Sequence, residues 1–316
     1  MGVPFRIVLY ATNEAHARMA SDAAFARIAD LNAKLSDYDL ESELSKLSRT
    51  SGLGHFVPLS DDLWRILEAS QHWAERTGGA FDITVGPVVN LWRHARRMQQ
   101  LPRADRLRDA RARVGYANLV LDPKKHAALL RIPEMRLDLG GIAKGFAADE
   151  ALRTLRRNGV TRALVAAAGD IALGDAPPGS PGWKVELDSG DTNVPPKVLL
   201  LSRAGVSTSG DLFQFLEIDG VRYSHIVDPR TGLGLTNSAM VAVIAPDGIT
   251  ADALATAVSV LGPAEGLRLI RSTPRTAVRI VSEDVIEFPK EKFNAAEKPT
   301  GDRSVSSGGI PAPATR

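Results

Sequence analysis

The chain has 316 residues, of which 44% are hydrophobic and 24% charged, as is typical of globular proteins with a sizeable core. Its formal net charge of +2 does not indicate binding to nucleic acid or membrane, and the absence of cysteine excludes disulfides, thiol nucleophiles and cysteine-bound metals. The sequence contains no run of about 18 apolar residues, so it predicts no membrane span. The N-terminus has no basic segment followed by an apolar one, so the sequence as written predicts a cytoplasmic protein. A missing export leader would instead place it in the periplasm or at the inner membrane.

The first third of the chain predicts one strand followed by helices. Residues 5–10 alternate like a strand, and residues 14–34 carry apolar side chains at helical spacing. A second helix is expected to start after Ser60, whose hydroxyl can cap it, and to end before Gly78-Gly79. A third helix is predicted over residues 83–97.

Residues 93–113 form a basic stretch with eight arginines and only two aspartates. A run of like charges is typical of a helix face in contact with water. We therefore favour a solvated helix face here over a docking patch.

Strands dominate the second half of the chain. They are predicted at 135–139, 162–167, 183–188, 198–201, 215–218, 221–227, 239–245 and 276–281, with helices at 142–157 and 250–261. The pair Asp219-Gly220 predicts a hairpin, because both residues tolerate positive φ. Strands and helices do not alternate regularly, which indicates an α+β layered fold. The final stretch, 289–316, is rich in Pro, Gly, Ser and Lys, and we expect it to be disordered.

The segment from Asp138 to Gly145 could bind an anion. An acidic residue ends a predicted strand, Gly140-Gly141 turns the chain, and Lys144 lies in the first turn of a predicted helix. Amide groups at a helix N-terminus attract phosphate, glycine allows close approach, and lysine adds a positive charge. A strand–Gly–Gly–helix junction is more often an ordinary turn, and the segment does not match the P-loop motif.

Asp252 and Thr256 are four residues apart in a predicted helix and therefore project from one face. A carboxylate with a hydroxyl suits a hard cation such as Mg²⁺, whose other ligands are often waters and phosphates. An aspartate near a helix start also interacts well with the helix dipole, so a purely structural role stays open.

Three more segments combine small and polar residues. His225 ends a predicted strand before an Asp-Pro turn, and it suits either a general base or a structural histidine. The loop 79–87 leads into a helix, and the segment 206–211 closes a strand with hydroxyl residues. Together these segments favour a phosphate-rich ligand without naming it.

The chain resembles the FAD:protein FMN transferase family, the ApbE-like proteins, through seven motifs in family order. The motifs are Met1-Gly2, Leu35-Ser36-Asp37-Tyr38 with Ser42-Glu43-Leu44, Gly79-Ala80-Phe81-Asp82 through Gly86-Pro87, Asp138 through Gly145, Ser207 through Asp211, Tyr223 through Gly232, and Ala251 through Thr256. The resemblance covers residues 1–288, which we treat as a single FAD:protein FMN transferase domain.

The resemblance implies an α+β fold of two closely joined lobes, with mixed or antiparallel sheets, packed helices and an FAD cleft between the lobes. It implies Mg²⁺-dependent transfer of the FMN part of FAD to a Thr or Ser hydroxyl of an acceptor protein, a redox subunit of the FMN-binding type. The residues expected to contact the flavin nucleotide are Met1, Tyr38, Ala80, Phe81, Asp82, Asp138, Lys144, His225 and Ile226. Those expected at the metal are the Gly141 carbonyl, Asp252 and Thr256.

The catalytic candidates are His225 and Asp138. We favour His225 as the group that accepts the hydroxyl proton, with Asp138 or Asp211 as alternatives. Two other functions stay open, namely an FAD pyrophosphatase that releases FMN and AMP, and a protein that only binds FAD.

One segment departs from the family pattern. Where the family commonly has Asn-x-Gly-Gly-Asp, this chain has Ala166-Ala167-Ala168-Gly169-Asp170. The missing amide side chain is expected to alter local hydrogen bonding, which makes a binding protein without turnover more credible.

Overall fold

The computed structural model describes residues 2–190, 193–210, 215–237, 239–282, 284–293 and 305–306. The helices are α1 (Glu14–Leu35), α2 (Glu43–Ser48), α3 (Asp61–Arg76), α4 (Gly86–Met98), α5 (Ala104–Arg111), α6 (Ala143–Arg157) and α7 (Gly248–Arg271). The strands are β1 (Phe5–Leu9), β2 (Val57–Pro58), β3 (Leu119–Asp122), β4 (Ala127–Leu130), β5 (Ala163–Ala167), β6 (Asp170–Leu173), β7 (Trp183–Leu187), β8 (Lys197–Leu201), β9 (Ala204–Ser209), β10 (Phe215–Ile218), β11 (Val221–Ser224), β12 (Met240–Ala245), β13 (Ala277–Val281), β14 (Val285–Phe288) and β15 (Val305–Ser306). Two short 3₁₀ helices cover Tyr116–Asn118 and Lys290–Lys292.

A seven-stranded sheet in the order β1-β5-β6-β9-β12-β13-β14 is the centre of the larger lobe. Every pair of neighbouring strands in it is antiparallel. Helices α1, α6 and α7 cover one face, and the small sheet β15-β7-β8 covers the other, so β5 and β12 are buried along their whole length. The predicted α+β fold is confirmed.

A smaller lobe holds α4, α5 and the β10-β11 hairpin around its own apolar cluster. Trp92 connects α4 to the loop after β11, because its indole Nε1 donates to the carbonyl of Gly232 over 2.8 Å. The smaller lobe forms one wall of a cleft whose other side belongs to the larger lobe.

Local signals in the sequence explain where several elements begin. Asn13 caps α1 by accepting from the His16 amide, Ser60 caps α3 through the Leu63 amide, and Asp247 caps α7 through the Thr250 amide. The predicted hairpin at Asp219-Gly220 is confirmed, with φ of 51° and 74° at the two residues.

The strand predicted at 135–139 is wrong. Arg136 forms only an isolated bridge with Val85, and the amide of Asp138 donates to the Ile83 carbonyl over 2.7 Å. Met135, Leu137 and Leu139 are all buried, so their alternation reflects packing against the core rather than pairing in a ladder.

Other predicted boundaries differ from the observed ones. The helix predicted at 83–97 begins at Gly86, where Pro87 suits the first turn. The strand predicted at 221–227 ends at Ser224. The basic stretch is divided between α4 and α5.

Helix α7 runs beyond the predicted end at 261, and Gly262 (φ 75°) and Pro263 kink it. On length and hydropathy alone this helix could span a membrane. Here its first half packs against α6, β9 and β12 as part of the core.

The tail predicted to be disordered, 289–316, lies largely outside the described residues. Within the described part, Phe293 follows the 3₁₀ helix Lys290–Lys292 and is fully buried. The backbone of Val305–Ser306 pairs in parallel with β7.

Candidate functional site

A cleft of about 470 Å³ lies where the larger lobe faces α4 and the loop after β11. Every predicted site residue that the structure describes lines it: Tyr38, Ala80, Phe81, Asp82, Asp138, Gly141, Lys144, His225, Ile226, Asp252 and Thr256. Met1 and Asp211 lie outside the described residues. A cleft of this volume is within the range of small-molecule and cofactor sites.

Helices α6 and α7 meet at the floor of the cleft because two glycines allow their backbones to touch. A Cβ atom at Gly145 would lie 2.1 Å from the carbonyl oxygen of Gly248. Asp149, one turn further along α6, accepts from the amides of Gly248 and Ile249 over 2.8 and 2.9 Å. This contact holds the start of α7 against the first turns of α6.

The same junction brings two carboxylates to one lysine. Lys144 Nζ lies 3.0 Å from Asp170 Oδ2 and 3.5 Å from Asp252 Oδ1, and it donates to the Gly140 carbonyl over 3.2 Å. Asp252 Oδ2 accepts from the Gly145 amide over 3.0 Å. The sequence suggested that amides at the start of α6 are open to an anion. The Gly145 amide is instead bound to Asp252.

Burial and the neighbouring charges together set the pKa values in this cluster. Burial, followed by the charge of Asp170, raises the pKa of Asp252 to about 7, although Lys144 opposes the shift. Burial alone would lower the pKa of Lys144, but Asp170 and Asp252 outweigh it and raise that pKa. Two buried carboxylates thus share one ammonium group, and the site favours further positive charge.

The oxygen atoms beside this cluster fit a hard divalent cation. A Cβ atom at Gly141 would lie 2.8 Å from Thr256 Oγ1, so the Gly141 backbone and this hydroxyl are close neighbours. Thr256 follows Asp252 by one turn of α7, as predicted. A carboxylate, a hydroxyl and a backbone carbonyl are the ligand types that Mg²⁺ accepts.

Arg93 of α4 links the two sides of the cleft. Its guanidinium forms an ion pair with Asp37, and Nη2 lies 2.8 Å from Asp138 Oδ2. It also lies over the Tyr38 ring, 4.4 Å from the centroid. Asp138 Oδ1 accepts from the Gly140 amide over 2.8 Å.

Both carboxylate oxygens of Asp138 are therefore engaged. Burial and then the charge of Asp37 raise its pKa, while Arg93 acts in the opposite direction. These contacts fix its orientation at the turn that leads into α6.

Asp82 holds a loop in place below the cleft. Its Oδ1 accepts from the amide and hydroxyl of Thr84 over 2.8 and 2.7 Å, and Oδ2 accepts from the Tyr116 amide over 2.9 Å. Burial raises its pKa. Phe81 is buried beside it, and its amide donates to the Thr77 hydroxyl over 3.1 Å. Ala80 and Phe81 thus form an apolar part of the cleft wall, and the hydrogen bonds of Asp82 hold this segment in place.

His225 and Ile226 follow β11 and form the opposite wall. The Ile226 amide donates to the Ser224 hydroxyl over 3.1 Å, and Val227 forms a bridge with Gly234. These contacts fix the backbone that carries His225.

The family departure affects the cleft at Ala168 rather than at Ala166. Ala168 and Gly169 turn the β5-β6 hairpin and line the cleft, and Ala168 has φ of 53°, a region that favours glycine. Ala166 packs into the apolar cluster on the side of the small sheet.

The polar cleft residues Asp37, Arg93, Asp170 and Thr208 are among those that had no predicted role. Asp170 had a partial signal, because it follows the Ala-Gly turn, and it accepts from the Ser207 hydroxyl over 2.5 Å. The Thr208 hydroxyl is buried with no hydrogen-bond partner among the described residues, which suits a polar ligand in the cleft.

The comparisons with known proteins agree with this geometry. The model of the ApbE family matches residues 1–280. An FAD:protein FMN transferase of Haemophilus influenzae is 32% identical over 264 residues, which are 81% of this chain and 76% of that protein.

Solved structures give the same result. The crystal structure of the ApbE protein of Thermotoga maritima has a TM-score of 0.84 at 28% identity and covers 94% of this chain and 97% of that one. The flavinyl transferase ApbE of Pseudomonas stutzeri, solved in its apo form, has a TM-score of 0.82 at 27% identity, with coverage of 93% and 94%.

The fold and the relatives define an α+β enzyme of the transferase class. The chain belongs to the ApbE family of flavin transferases.

Proposed function

We propose that this protein transfers the FMN part of FAD to a Thr or Ser hydroxyl of an acceptor protein, with Mg²⁺ as cofactor. The observation that carries the proposal is the junction of α6 and α7 in the cleft, where Lys144, Asp170 and Asp252 meet beside Gly141 and Thr256. A buried site with one ammonium group and several oxygen donors suits a pyrophosphate bound with a cation.

Asp252, Thr256 and the Gly141 carbonyl would hold Mg²⁺. The bound cation would offset the negative charge of the pyrophosphate as it redistributes during transfer. Lys144 supplies a fixed positive charge from the side of α6, and the ion pairs with Asp170 and Asp252 keep its Nζ in place.

The flavin nucleotide would lie along the walls of the cleft. Ala80 and Phe81 offer a rigid apolar surface, and Asp82 keeps that surface in position through Thr84 and Tyr116. Tyr38, 70% exposed at the entrance, has a ring available for stacking, and Ile226 faces the cleft from the other wall. We extend the same role to Met1 from the family motif.

The reaction breaks one bond and forms one. The acceptor hydroxyl oxygen bonds to the phosphorus of the FMN half, the bond from that phosphorus to the bridging oxygen breaks, and AMP leaves with the bridging oxygen. The hydroxyl proton passes to a base on the protein. The product is an FMN group joined to the acceptor through a phosphodiester bond.

We assign the proton acceptor to His225 and a positioning role to Asp138. A histidine titrates near neutral pH, which suits a general base. Asp138 has both oxygens engaged by Arg93 and the Gly140 amide, so it is better suited to orienting the Gly140-Gly141 turn.

The test uses the full chain with FAD, Mg²⁺ and a purified FMN-binding redox subunit as acceptor. We expect an FMN-sized mass gain on the acceptor and an equal amount of AMP. FMN in solution with an unmodified acceptor would instead indicate an FAD pyrophosphatase. FAD that is bound but unchanged would indicate a binding protein.

A further inference from the structure

The smaller lobe presents positive charge at the mouth of the cleft. Its basic stretch, 93–113, has eight arginines and two aspartates, although the whole chain has a net charge of only +2. The net positive charge is therefore concentrated in this stretch, and the rest of the chain is acidic in balance. Such an asymmetry along the chain indicates an electrostatic role for the stretch.

The geometry of α4 directs part of this charge towards the cleft. Val89, Arg93 and Arg96 line the cleft, and Val88, Trp92 and Ala95 form the buried face of the helix. Arg97 lies one turn beyond Arg93 on the same side, and it is exposed. It extends the positive wall of the cleft outwards.

Helix α5 continues the basic surface beside the loop after β11. The side chains of Leu107 and Arg111 lie against Gly232, with Arg111 Cδ 3.6 Å from the position of a Cβ atom there. Pro229, in the same loop, lines the cleft, and Leu233 is 47% exposed. We call Arg97, Arg111 and Leu233 the rim.

The rim arginines have no ion-pair partner among the residues that the structure describes. Arg103 and Arg113 of the same stretch pair with Asp105 and Glu134. Arg97, Arg108 and Arg111 form no ion pair with any of the residues that the structure describes. Exposed apolar side chains beside unpaired arginines are typical of a protein-binding surface.

We infer that the rim docks an acidic segment of the acceptor protein, one that flanks the hydroxyl to be modified. The inference rests on the proposed function, because that function requires a protein segment to enter the cleft. Charge complementarity favours Asp and Glu on either side of the target residue, and the exposed side chain of Leu233 favours an apolar residue near it. In the proposed function FAD binds deeper in the cleft, at Lys144. Arg97 and Arg111 are not among the residues that line the cleft.

The test measures binding and transfer separately. The probes are two labelled peptides with a central threonine that differ only in flanking aspartates or asparagines, and a short DNA duplex. Binding to the full chain loaded with FAD and Mg²⁺ is followed by fluorescence anisotropy at low and physiological salt. FMN transfer to each peptide is followed by mass spectrometry.

The matched variants reverse two charges each. R97E/R111E changes the rim, and R156E/R157E changes two exposed arginines at the far end of α6, about 20 Å from Lys144. We expect the acidic peptide to bind at least about tenfold more tightly than its asparagine counterpart. R97E/R111E should abolish that preference, R156E/R157E should keep it, and all three proteins should bind FAD equally.

Equal binding of the two peptides, or a preference that survives in R97E/R111E, would overturn the inference. Tighter binding of the DNA duplex than of the acidic peptide would overturn it as well. FMN transfer tests the proposed function independently of the rim. If the acidic peptide binds in a charge-dependent way but gains no FMN, the result supports the rim as a docking surface and contradicts the proposed transfer.

Discussion

The charged side chains on one side of the cleft are buried and paired, and those on the other side are largely exposed. At the junction of α6 and α7, Lys144, Asp170 and Asp252 are held together by close backbone packing at Gly145 and Gly248. Along α4 and α5 the arginines project from helices with few constraints, and several have no ion partner among the described residues. The buried side is suited to chemistry that needs fixed distances, and the exposed side to recognition of a partner that can adjust.

Arg93 stands between these two sides, since it lies on the basic helix but pairs with Asp37 and Asp138 in the cleft. Replacing residues on each side should therefore separate effects on catalysis, stability and recognition.

Asp252→Asn should cause the largest loss. The variant removes a proposed Mg²⁺ ligand and one partner of Lys144, so we expect Mg²⁺-stimulated AMP release to fall by about 10³-fold. Thr256→Ser keeps the hydroxyl and should retain most of the activity. Wild-type AMP release by Asp252→Asn, with the fold intact by circular dichroism, would show that the metal assignment is wrong.

Arg93→Met should cost about 3 kcal/mol in the free energy of unfolding, because Asp37 and Asp138 would be left near each other without their cation. Arg97→Met, one turn along the helix and exposed, should change it by less than about 0.5 kcal/mol. Urea denaturation of the two variants compares them directly. Similar losses would mean that α4 does not divide into a buried and an exposed side as described.

Gly145→Ala tests the close packing of α6 and α7. A Cβ atom would meet the Gly248 carbonyl oxygen at 2.1 Å, so the helices must move apart, at a cost of about 2–3 kcal/mol. FAD affinity should fall as well, because Lys144 and Asp252 would separate. Arg156→Ala, exposed on the same helix, is the control, and thermal melts with FAD titrations measure both effects.

Ala168→Gly should stabilise the protein by about 1 kcal/mol, because Ala168 has φ of 53° at the turn of the β5-β6 hairpin. Ala167→Gly, in the buried strand β5, should destabilise it by a similar or larger amount. Chemical denaturation gives both values. A loss of stability in Ala168→Gly would contradict the strained turn.

Asp62 provides a pH test away from the cleft. The hydrogen bond from Arg27 lowers its pKa from 3.8 to about 2, with a further contribution from Lys34. Its carboxylate therefore contributes stability that is fully present above pH 3.8 and is lost as the pH falls towards 2. After solvent screening we expect about 1 kcal/mol. The stability difference between wild type and Asp62→Asn should shrink over that interval, and a constant difference would contradict the pairing.

Elements governed by local rules could be predicted from the sequence. The cap at Ser60 and the turn at Asp219-Gly220 depend on a few neighbouring residues, and the helix and hairpin appear where these residues indicate. Strand 135–139 was predicted wrongly because its alternation has another cause. The short strands β6 and β14 were missed, although each forms a hairpin with the strand before it.

The candidate site was partly visible in the same way. Motif residues such as Lys144, Asp252 and Thr256 could be chosen for their chemistry and spacing, and all line one cleft. Arg93 could not be chosen in this way. Its position in the helical pattern places it away from the apolar face of α4 but does not indicate which residues it contacts. Its contacts with Asp37 and Asp138 depend on how two lobes pack.

The sequence by itself determined the composition, the caps and turns, the apolar spacing and the family, because each depends on residue identity and short separations along the chain. Only the tertiary structure decided which charges are buried together and which remain at the surface. Lys144, Asp170 and Asp252 come from three separate segments, and their distances follow from the packing of α6 against α7 and β6. Electrostatic strength depends on burial and distance, and both are properties of the folded chain.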